Sequence, residues 1–571
     1  MRMRLLFQKK GLARLVVALL LTASFTLYMP AGDAVADDSP QTSAKYLVLI
    51  SIDSCRPDYL TLAPTPNIDR LKTAGTHYSN SWVGQVSNDT PPGQTSMSTG
   101  SFGKNTHIIS FNWRDGRVLP ADWEFKLGIT LKVLDFIRAT GWDALGLWYQ
   151  ENMVRKTIEG NFITNYDNVA SGFFNSYIKE SGVGSIGSLY KKANPGAKVA
   201  AVSCDKWYAC AGLAADSADY SVFAEAKGVA PIGYNNVFHL RPAGVAGMLP
   251  PDYILNDPSL IRDVKDERDT DIWATDVAIS LIEKTGPEVL LINLPATDDA
   301  GHACGGITDP QKMASVISNV DTQIGRIVEA YKKAGKYDDT VWVITSDHTM
   351  TPFNIKIEQP VIDKLLVAER NFSNVGTHIY LMDQSQTRQV AERITGAEIP
   401  GIFGAYYRIV EPDGKYAYVP TADTAPKVQG ELDSCYRYLL DTYAGASSPD
   451  IELLLVENCH IDWTMFDCKR FIGQHDSISW LQQHNVLLIA GPGVKKGFVS
   501  DSPARLVDIA PTALTLLGIT PERMDGIVLS DALESPTTTQ VHTQMSKNSE
   551  LIPFVQALQA QSDADLKAQV K

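Results

Sequence analysis

Two apolar runs constrain this chain most, because each ends abruptly on groups that do not belong in a core. Tyr46–Ile52 is closed by Asp53, and residues 341–346 (Val-Trp-Val-Ile-Thr-Ser) are closed by Asp347 and His348. Short runs dominated by aliphatic and β-branched residues read as strands buried on both faces, as in parallel sheets. Residues that follow such strands emerge at the carboxyl edge of the sheet, where open α/β folds collect their ligands. Topology would therefore bring Asp53, Asp347 and His348 to the same edge.

The same alternation recurs along the chain. The first strand leads through residues 65–71 and a short helix to a turn at Gly75. A helical pattern over 130–139 then runs into a strand over 142–148, and a strand over 289–295 passes through the helical Pro310–Lys333 into the strand over 340–346. Strands alternating with helices predict an α/β fold, a mainly parallel sheet flanked by helices. Residues 151–285 break the rhythm with glycine, serine, asparagine and aromatic residues, and read as an insertion or cap near the active edge. Residues 352–470 read as a second insertion, with a hairpin over 406–420 around Asp413-Gly414 and a cysteine-bearing loop. Core segments are thus expected over 37–150, 286–351 and 471–571, the last with a strand over 485–490, a turn at Gly491-Pro492-Gly493 and a helix over 506–517.

Residues 1–36 read as a signal peptide. Arg2, Arg4, Lys9, Lys10 and Arg14 precede an apolar stretch over 15–27, and Ala34-Val35-Ala36 offers small residues for cleavage. The stretch is shorter than the ~20 residues that span a bilayer, so the expectation is a periplasmic or secreted protein with no transmembrane anchor after signal removal. The whole chain carries a net charge of −14, and loss of this basic leader makes it more acidic. That balance argues against a stable nucleic-acid complex, which needs basic groups to neutralise phosphates. It does not exclude a small anionic substrate if bound cations supply local positive charge.

Seven cysteines in an exported chain suggest disulfides with one thiol left over. Cys204 with Cys210 and Cys459 with Cys468 are close enough in sequence to close short loops. Cys55 and Cys304 read as small buried residues, and Cys435 is unassigned.

Beyond the strand ends, Asp298 precedes His302 by four residues with Gly301 permitting a sharp loop, and His475 closes Gly473-Gln474-His475. The set divides into Asp298, His302 and His475 around one cation and Asp53, Thr90, Asp347 and His348 around another. Mixed carboxylate and imidazole ligation suits zinc, with manganese or iron compatible by ligand type. Thr90 opens Thr90-Pro91-Pro92-Gly93, a helix entered through prolines. A helix start offers amide donors and a dipole to a phosphate or sulfate group, and a hydroxyl touching a cation loses its proton more easily and can attack phosphorus.

At these segments the chain resembles the alkaline phosphatase superfamily, and especially its nucleotide pyrophosphatase/phosphodiesterase branch. The matching pieces run in order through Asp53-Ser54-Cys55-Arg56, Thr65-Pro66-Asn67, Thr90-Pro91-Pro92, His107 to Asn112, Asp298 to His302, Asp347-His348, Gly473 to His475 and Val507 to Pro511. The resemblance implies two zinc ions, one at Asp298, His302 and His475 and one at Asp53, Asp347 and His348. It also implies Thr90 as the nucleophile, a covalent phosphothreonine released by water, and Asn112 as the phosphate-binding amide. Cys55 departs from a glycine common in the family, and Gln94 stands where sulfatases carry arginine. Thr90, being neither cysteine nor serine, cannot become the formylglycine that sulfatases need. His77, His107, His378 and His484 read as structural or surface histidines.

The expected activity is hydrolysis of a phosphodiester or phosphoanhydride in a small-molecule phosphate ester, such as a nucleotide or lipid head group. Phosphomonoester or phosphonate hydrolysis is the alternative, followed by a sulfatase or a non-catalytic metal-binding protein. Charge counting favours the diester: residues 87–100 contain no lysine or arginine and Asn112 is neutral, whereas a monoester brings one more negative oxygen to be matched.

Overall fold

Alternate residues of the first strand face two different cores, and this sets the layers. Leu47 and Leu49 of Tyr46–Ile52 (β1) belong to one buried cluster, and Val48, Ile50 and Ile52 to another. A strand buried on both faces lies inside a three-layer sandwich. The computed structural model describes residues 44–114, isolated positions between 129 and 164, 173–227, 238–245, 247–367, 376–381, 383–462, 471–475 and 477–570.

The main sheet also contains Gly75–Tyr78 (β2), Val199–Val202 (β3), Tyr220–Lys227 (β4), Phe238–Gly244 (β5), Arg262–Val264 (β6), Val289–Leu294 (β7), Thr340–Thr345 (β8), Leu487–Ala490 (β9) and Phe498–Ser500 (β10). Their order is β10-β2-β9-β8-β1-β7-β3-β4-β5-β6. Among the described residues only β9 and β5 run against the common direction. The middle of the sheet, β8-β1-β7-β3-β4, is wholly parallel. One face is covered by helices Pro66–Ala74 (α1), Arg268–Lys284 (α4), Ala296–Cys304 (α5) and Pro310–Lys333 (α6), which share a cluster through Ile68, Trp273, Ala300 and Ile317. Thr90–Thr99 (α2), Trp207–Ala214 (α3) and Ile509–Leu516 (α7) cover the other through Met97, Leu213 and Ala513.

Away from the sheet edge, the structure departs from the sequence expectations at Gly75, in the first irregular span and at the cysteines. Gly75 starts β2 with extended backbone instead of forming a turn. A Cβ there would lie 2.1 Å from the Ile489 carbonyl oxygen, so glycine permits a close strand approach. Within the span read as an insertion or cap, residues 199–264 extend the main sheet by β3, β4, β5 and β6. Val199-Ala200-Ala201-Val202 is short and half alanine, so it carries no strand period, and burial on both faces decides its conformation. Cys204 and Cys210 are free thiols, not a disulfide. Cys204 sits in the cluster under one face of the sheet and Cys210 in the cluster under the other, where its thiol faces the Ala201 and Val222 carbonyls. Cys459 is likewise free and buried, while Cys468 lies outside the described residues.

The second irregular span builds its own layer. His378–Ile379, Ile451–Leu455, Ile402–Val410 and Tyr416–Pro420 form a four-stranded antiparallel sheet in that spatial order. The hairpin expected over 406–420 is present, pairing Tyr406 with Pro420 and Val410 with Tyr416. Helices Gln359–Val367 and Thr387–Gly396 contribute Ile362, Leu366, Val390 and Ile394 to a separate core beneath it. The residues expected as signal peptide, and most of 130–148, lie outside the described residues.

Candidate active site

Four adjacent parallel strands deliver the site. Asp53 follows β1, Asp347 and His348 follow β8, α5 begins two residues after β7, and Lys206 follows β3. The strand-end reading of Asp53, Asp347 and His348 therefore corresponds to one edge of one sheet, where open parallel sheets bind ligands. Asp298 and His302 do not sit on a loop as Gly301 suggested. They lie four residues apart within helix α5 and so share a face, with His302 Nε2 3.5 Å from Asp298 Oδ2. His475 arrives on Gly473–Gln474, which pairs with Thr351–Pro352 just beyond His348, and the His475 and His348 rings are 4.0 Å apart between centroids.

Two groups of buried ligand atoms result: Asp298, His348 and His475, and Asp53, Asp347 and His348, each within 4.8 Å of one another. His348 thus stands between the two halves that the sequence separates. His302 stands outside both groups, its ring 5.3 Å from that of His475 and stacked on Phe471. Its Nδ1 faces the Gly473 carbonyl at 3.0 Å and His475 Nδ1 faces the Asn88 carbonyl at 2.9 Å, which orients both imidazoles by their outer nitrogens.

The charges fit divalent cations. Asp53, Asp298 and Asp347 are all buried, Asp53 and Asp347 with ligand atoms within 4.8 Å of one another, and Asp53 Oδ1 has no hydrogen-bond partner among the described residues although it is fully buried. A buried carboxylate oxygen with no donor is costly unless a cation meets it. Burial, reinforced by the Asp53 charge, raises the Asp347 carboxyl to about 6. Burial acts the same way on Asp298, but Lys206 and the surrounding histidines outweigh it and hold that group well below the usual carboxylate range. Burial lowers the His302 imidazole to about 4, leaving it neutral and able to ligate.

Thr90 stands at the first turn of α2 with its Oγ1 2.9 Å from His348 Nε2. The helix comes this close because residue 93 is glycine: a Cβ there would lie 2.5 Å from the Asp347 carbonyl oxygen. The cradle of amide donors expected at this helix start is largely absent. Pro91 and Pro92 have no N–H and the Gly93 N–H is committed to the Asp89 carbonyl, which leaves the Thr90 amide and the helix dipole. Gln94 donates to Asp347 Oδ2 at 2.9 Å and to Ser51 Oγ at 3.0 Å, so it braces a ligand from within the helix.

Asn112 lies in the two-residue strand Asn112–Trp113, paired with Ile163–Thr164; its side chain lies outside the described residues. Sequence reasoning missed Lys206. Its ammonium donates to Asp298 Oδ2 at 2.5 Å and lies 3.1 Å from Asp53 Oδ2, bridging the two candidate groups and adding a positive charge that the count over residues 87–100 does not include. Nothing local marks it, because only pairing of β3 with β7 brings it to the edge. His460 was also missed. It is fully buried, with Nε2 2.9 Å from Thr351 Oγ1, and Thr351 in turn accepts from Gln482. Of the histidines set aside, His378 meets Glu452 at 2.6 Å and His484 faces the Ser79 carbonyl at 3.0 Å, both in structural roles.

Comparison with known proteins gives a family and a fold. The family described as type I phosphodiesterase / nucleotide pyrophosphatase matches residues 47–434. The alkaline phosphatase PhoD of Zymomonas mobilis is 31% identical over 134 residues, covering 22% of this chain and 21% of that protein. The match thus spans about a fifth of that relative's length. Among solved structures, an inactive variant of murine ectonucleotide pyrophosphatase / phosphodiesterase 5 in complex with AMP aligns with TM-score 0.52 and 17% identity over 86% of this chain and 100% of that one. Wild-type alkaline phosphatase PafA aligns with TM-score 0.57 and 14% identity over 86% and 99%. At these identities the likeness is one of fold.

Proposed function

Because the chain belongs to the type I phosphodiesterase / nucleotide pyrophosphatase family of the alkaline phosphatase superfamily, we propose that it cleaves a phosphodiester or phosphoanhydride bond by attack of Thr90 on phosphorus. The carrying observation is the place of the Thr90 hydroxyl, 2.9 Å from the His348 imidazole that joins both ligand groups. Two zinc ions are the cations proposed, one at Asp298, His302 and His475 and one at Asp53, Asp347 and His348, with His348 within reach of both. When bound, such ions supply Lewis-acid charge that eases loss of the hydroxyl proton and offsets the charge on phosphate oxygens. Thr90 Oγ forms the bond to phosphorus as the bond to the leaving oxygen breaks, and water then cleaves the phosphothreonine to restore the hydroxyl. Asp347 and Asp53 are held by Gln94 and Asn293, which keep the carboxylates in place throughout. Asn112 is proposed as the amide that binds the phosphate. Basic residues before an apolar stretch support export to the periplasm or beyond, with a nucleotide or lipid head group as the substrate class.

One observation favours a second reading, phosphomonoester hydrolysis. Lys206 places a buried ammonium against both ligand groups, which is the additional positive group that a monoester needs. Relatives of both kinds exist, a pyrophosphatase/phosphodiesterase in complex with AMP and alkaline phosphatases.

The test uses zinc-loaded protein and matched aryl phosphate monoester and diester substrates. Thr90→Ala is expected to lower turnover by several orders of magnitude while leaving zinc content intact, and acid-quenched wild type is expected to carry on the Thr90 peptide a phosphoryl group that keeps its remaining ester when the substrate is a diester. Near-normal turnover by Thr90→Ala would reject the covalent mechanism, and a clear preference for the monoester would select the second reading.

A further inference from the structure

Ser54 has a left-handed backbone, with φ of 61°. A non-glycine residue there is strained, and such strain persists where the surroundings enforce it. Glycine would relieve the strain, so what the serine side chain does becomes the question. Its hydroxyl lies 2.6 Å from Asp298 Oδ1 and 3.0 Å from His348 Nδ1, and its backbone N–H faces Asp347 Oδ1 at 3.3 Å. One residue therefore contacts a ligand unique to each group and the imidazole they share.

A hydroxyl has one proton to donate. Asp298 also receives the Lys206 ammonium at 2.5 Å, the environment of an ionised, acceptor-only carboxylate. The Ser54 proton goes to Asp298, so toward His348 the Ser54 oxygen can only accept, and Nδ1 must carry the imidazole proton. Nε2 is then left with its lone pair facing Thr90 and Asp53 Oδ1, at 2.9 and 3.3 Å.

From this chain of donors we infer that Ser54 is a positioning residue that sets the His348 tautomer and so couples the two cation sites. The inference rests on the two-cation reading of the site, but no substrate enters its test. Ser54→Gly removes the hydroxyl while keeping access to the left-handed backbone, and Ser54→Ala removes it while keeping the restrictions of an L residue. Zinc affinity, read by competition with a chromophoric chelator, is expected to fall roughly 10- to 100-fold in both, the usual consequence of losing a partner behind a metal ligand. Imidazole nitrogen NMR of the chelator-treated protein, with His348 assigned by His348→Gln, is expected to show the proton on Nδ1 in wild type and a mixture of tautomers in both variants. Wild-type zinc affinity with an unchanged tautomer in the variants would overturn the proposal, as would a loss confined to one variant, which traces to backbone. If the wild type bound no zinc, the two-cation reading itself would fall.

Discussion

The two irregular regions of the chain look alike in sequence and play opposite parts in the structure. Residues 199–264 give up their independence. Their strands β3 to β6 extend the main sheet, their apolar residues join the two main clusters, and the loop after β3 carries Lys206 to the ligands. Residues 376–455 pair with one another in a separate antiparallel sheet with a core of its own around Leu453, Ile394 and Ala405, while Tyr380, Tyr406 and Leu454 pack into one of the main clusters. The second region reaches the site indirectly, through His460, Thr351 and Gln482, whose carboxamide oxygen accepts from the Ser477 N–H two residues beyond His475. Lys206 reaches the site because the strand before it is hydrogen-bonded into the sheet whose edge forms that site. The sheet that pairs with itself stays a neighbour.

Breaking this contrast calls for substitutions in both regions. The largest effect is expected from Lys206→Met, which leaves Asp298 and Asp53 buried without their cationic partner. Chelator-treated protein should lose about 3–5 kcal/mol in denaturant unfolding, and much of the loss should be recovered on zinc addition. Equal destabilisation with and without zinc would mean that the ammonium serves the fold alone.

An intermediate effect is expected from His460. Burial, with His475 and His302 nearby, lowers its imidazole to about 3. Its folded-state value therefore lies below the unfolded value of about 6.5. The unfolded chain takes up the extra proton first, so the stability His460 contributes is present above about 6.5 and is lost as pH falls toward 3. The added slope is at most about 1.4 kcal/mol per pH unit. His460→Asn should flatten the stability profile of the zinc-free protein across this window, and an unchanged profile would contradict the neutral, buried assignment. Smallest of all should be Gly414→Ala at the hairpin tip, where φ is 86° and a Cβ would meet nothing within 4 Å. The left-handed backbone alone should cost roughly 1–2 kcal/mol, seen as a lower melting temperature with kcat and KM unchanged. A change in KM there would show that the second region shapes substrate binding directly.

Much of this was legible from local pattern. β1 and β8 are apolar runs that need no distant partner to be recognised, and each is followed within three residues by its candidate ligands, so Asp53, Asp347 and His348 could be placed on one edge from sequence. Pro310–Lys333 begins at a proline after Asp309, whose side chain accepts from the Lys312 N–H, and its length follows from an unbroken helical period. The 406–420 hairpin is marked by Asp413-Gly414 between alternating strands. Cys204 and Cys210, in contrast, are close in sequence and still belong to clusters on opposite faces, because Cys204 lies in the loop after β3 and Cys210 in the first turn of α3. Sequence spacing measures the length of chain between two thiols and says nothing about which side of a sheet each one faces.

By itself, then, the sequence determined the central strands, the residues that close them and the proline-entered start of α2 with the Thr90 hydroxyl, since each depends on periodicity and on chemistry carried within a few residues. Tertiary structure alone decided that β3 pairs beside β7 and brings Lys206 between Asp53 and Asp298, that His348 serves both ligand groups, and that Ser54 holds Asp298 and His348 through one hydroxyl. Those are contacts between strand ends far apart in the chain, and their energies come from burial and charge pairing that exist only once the sheet has closed its register.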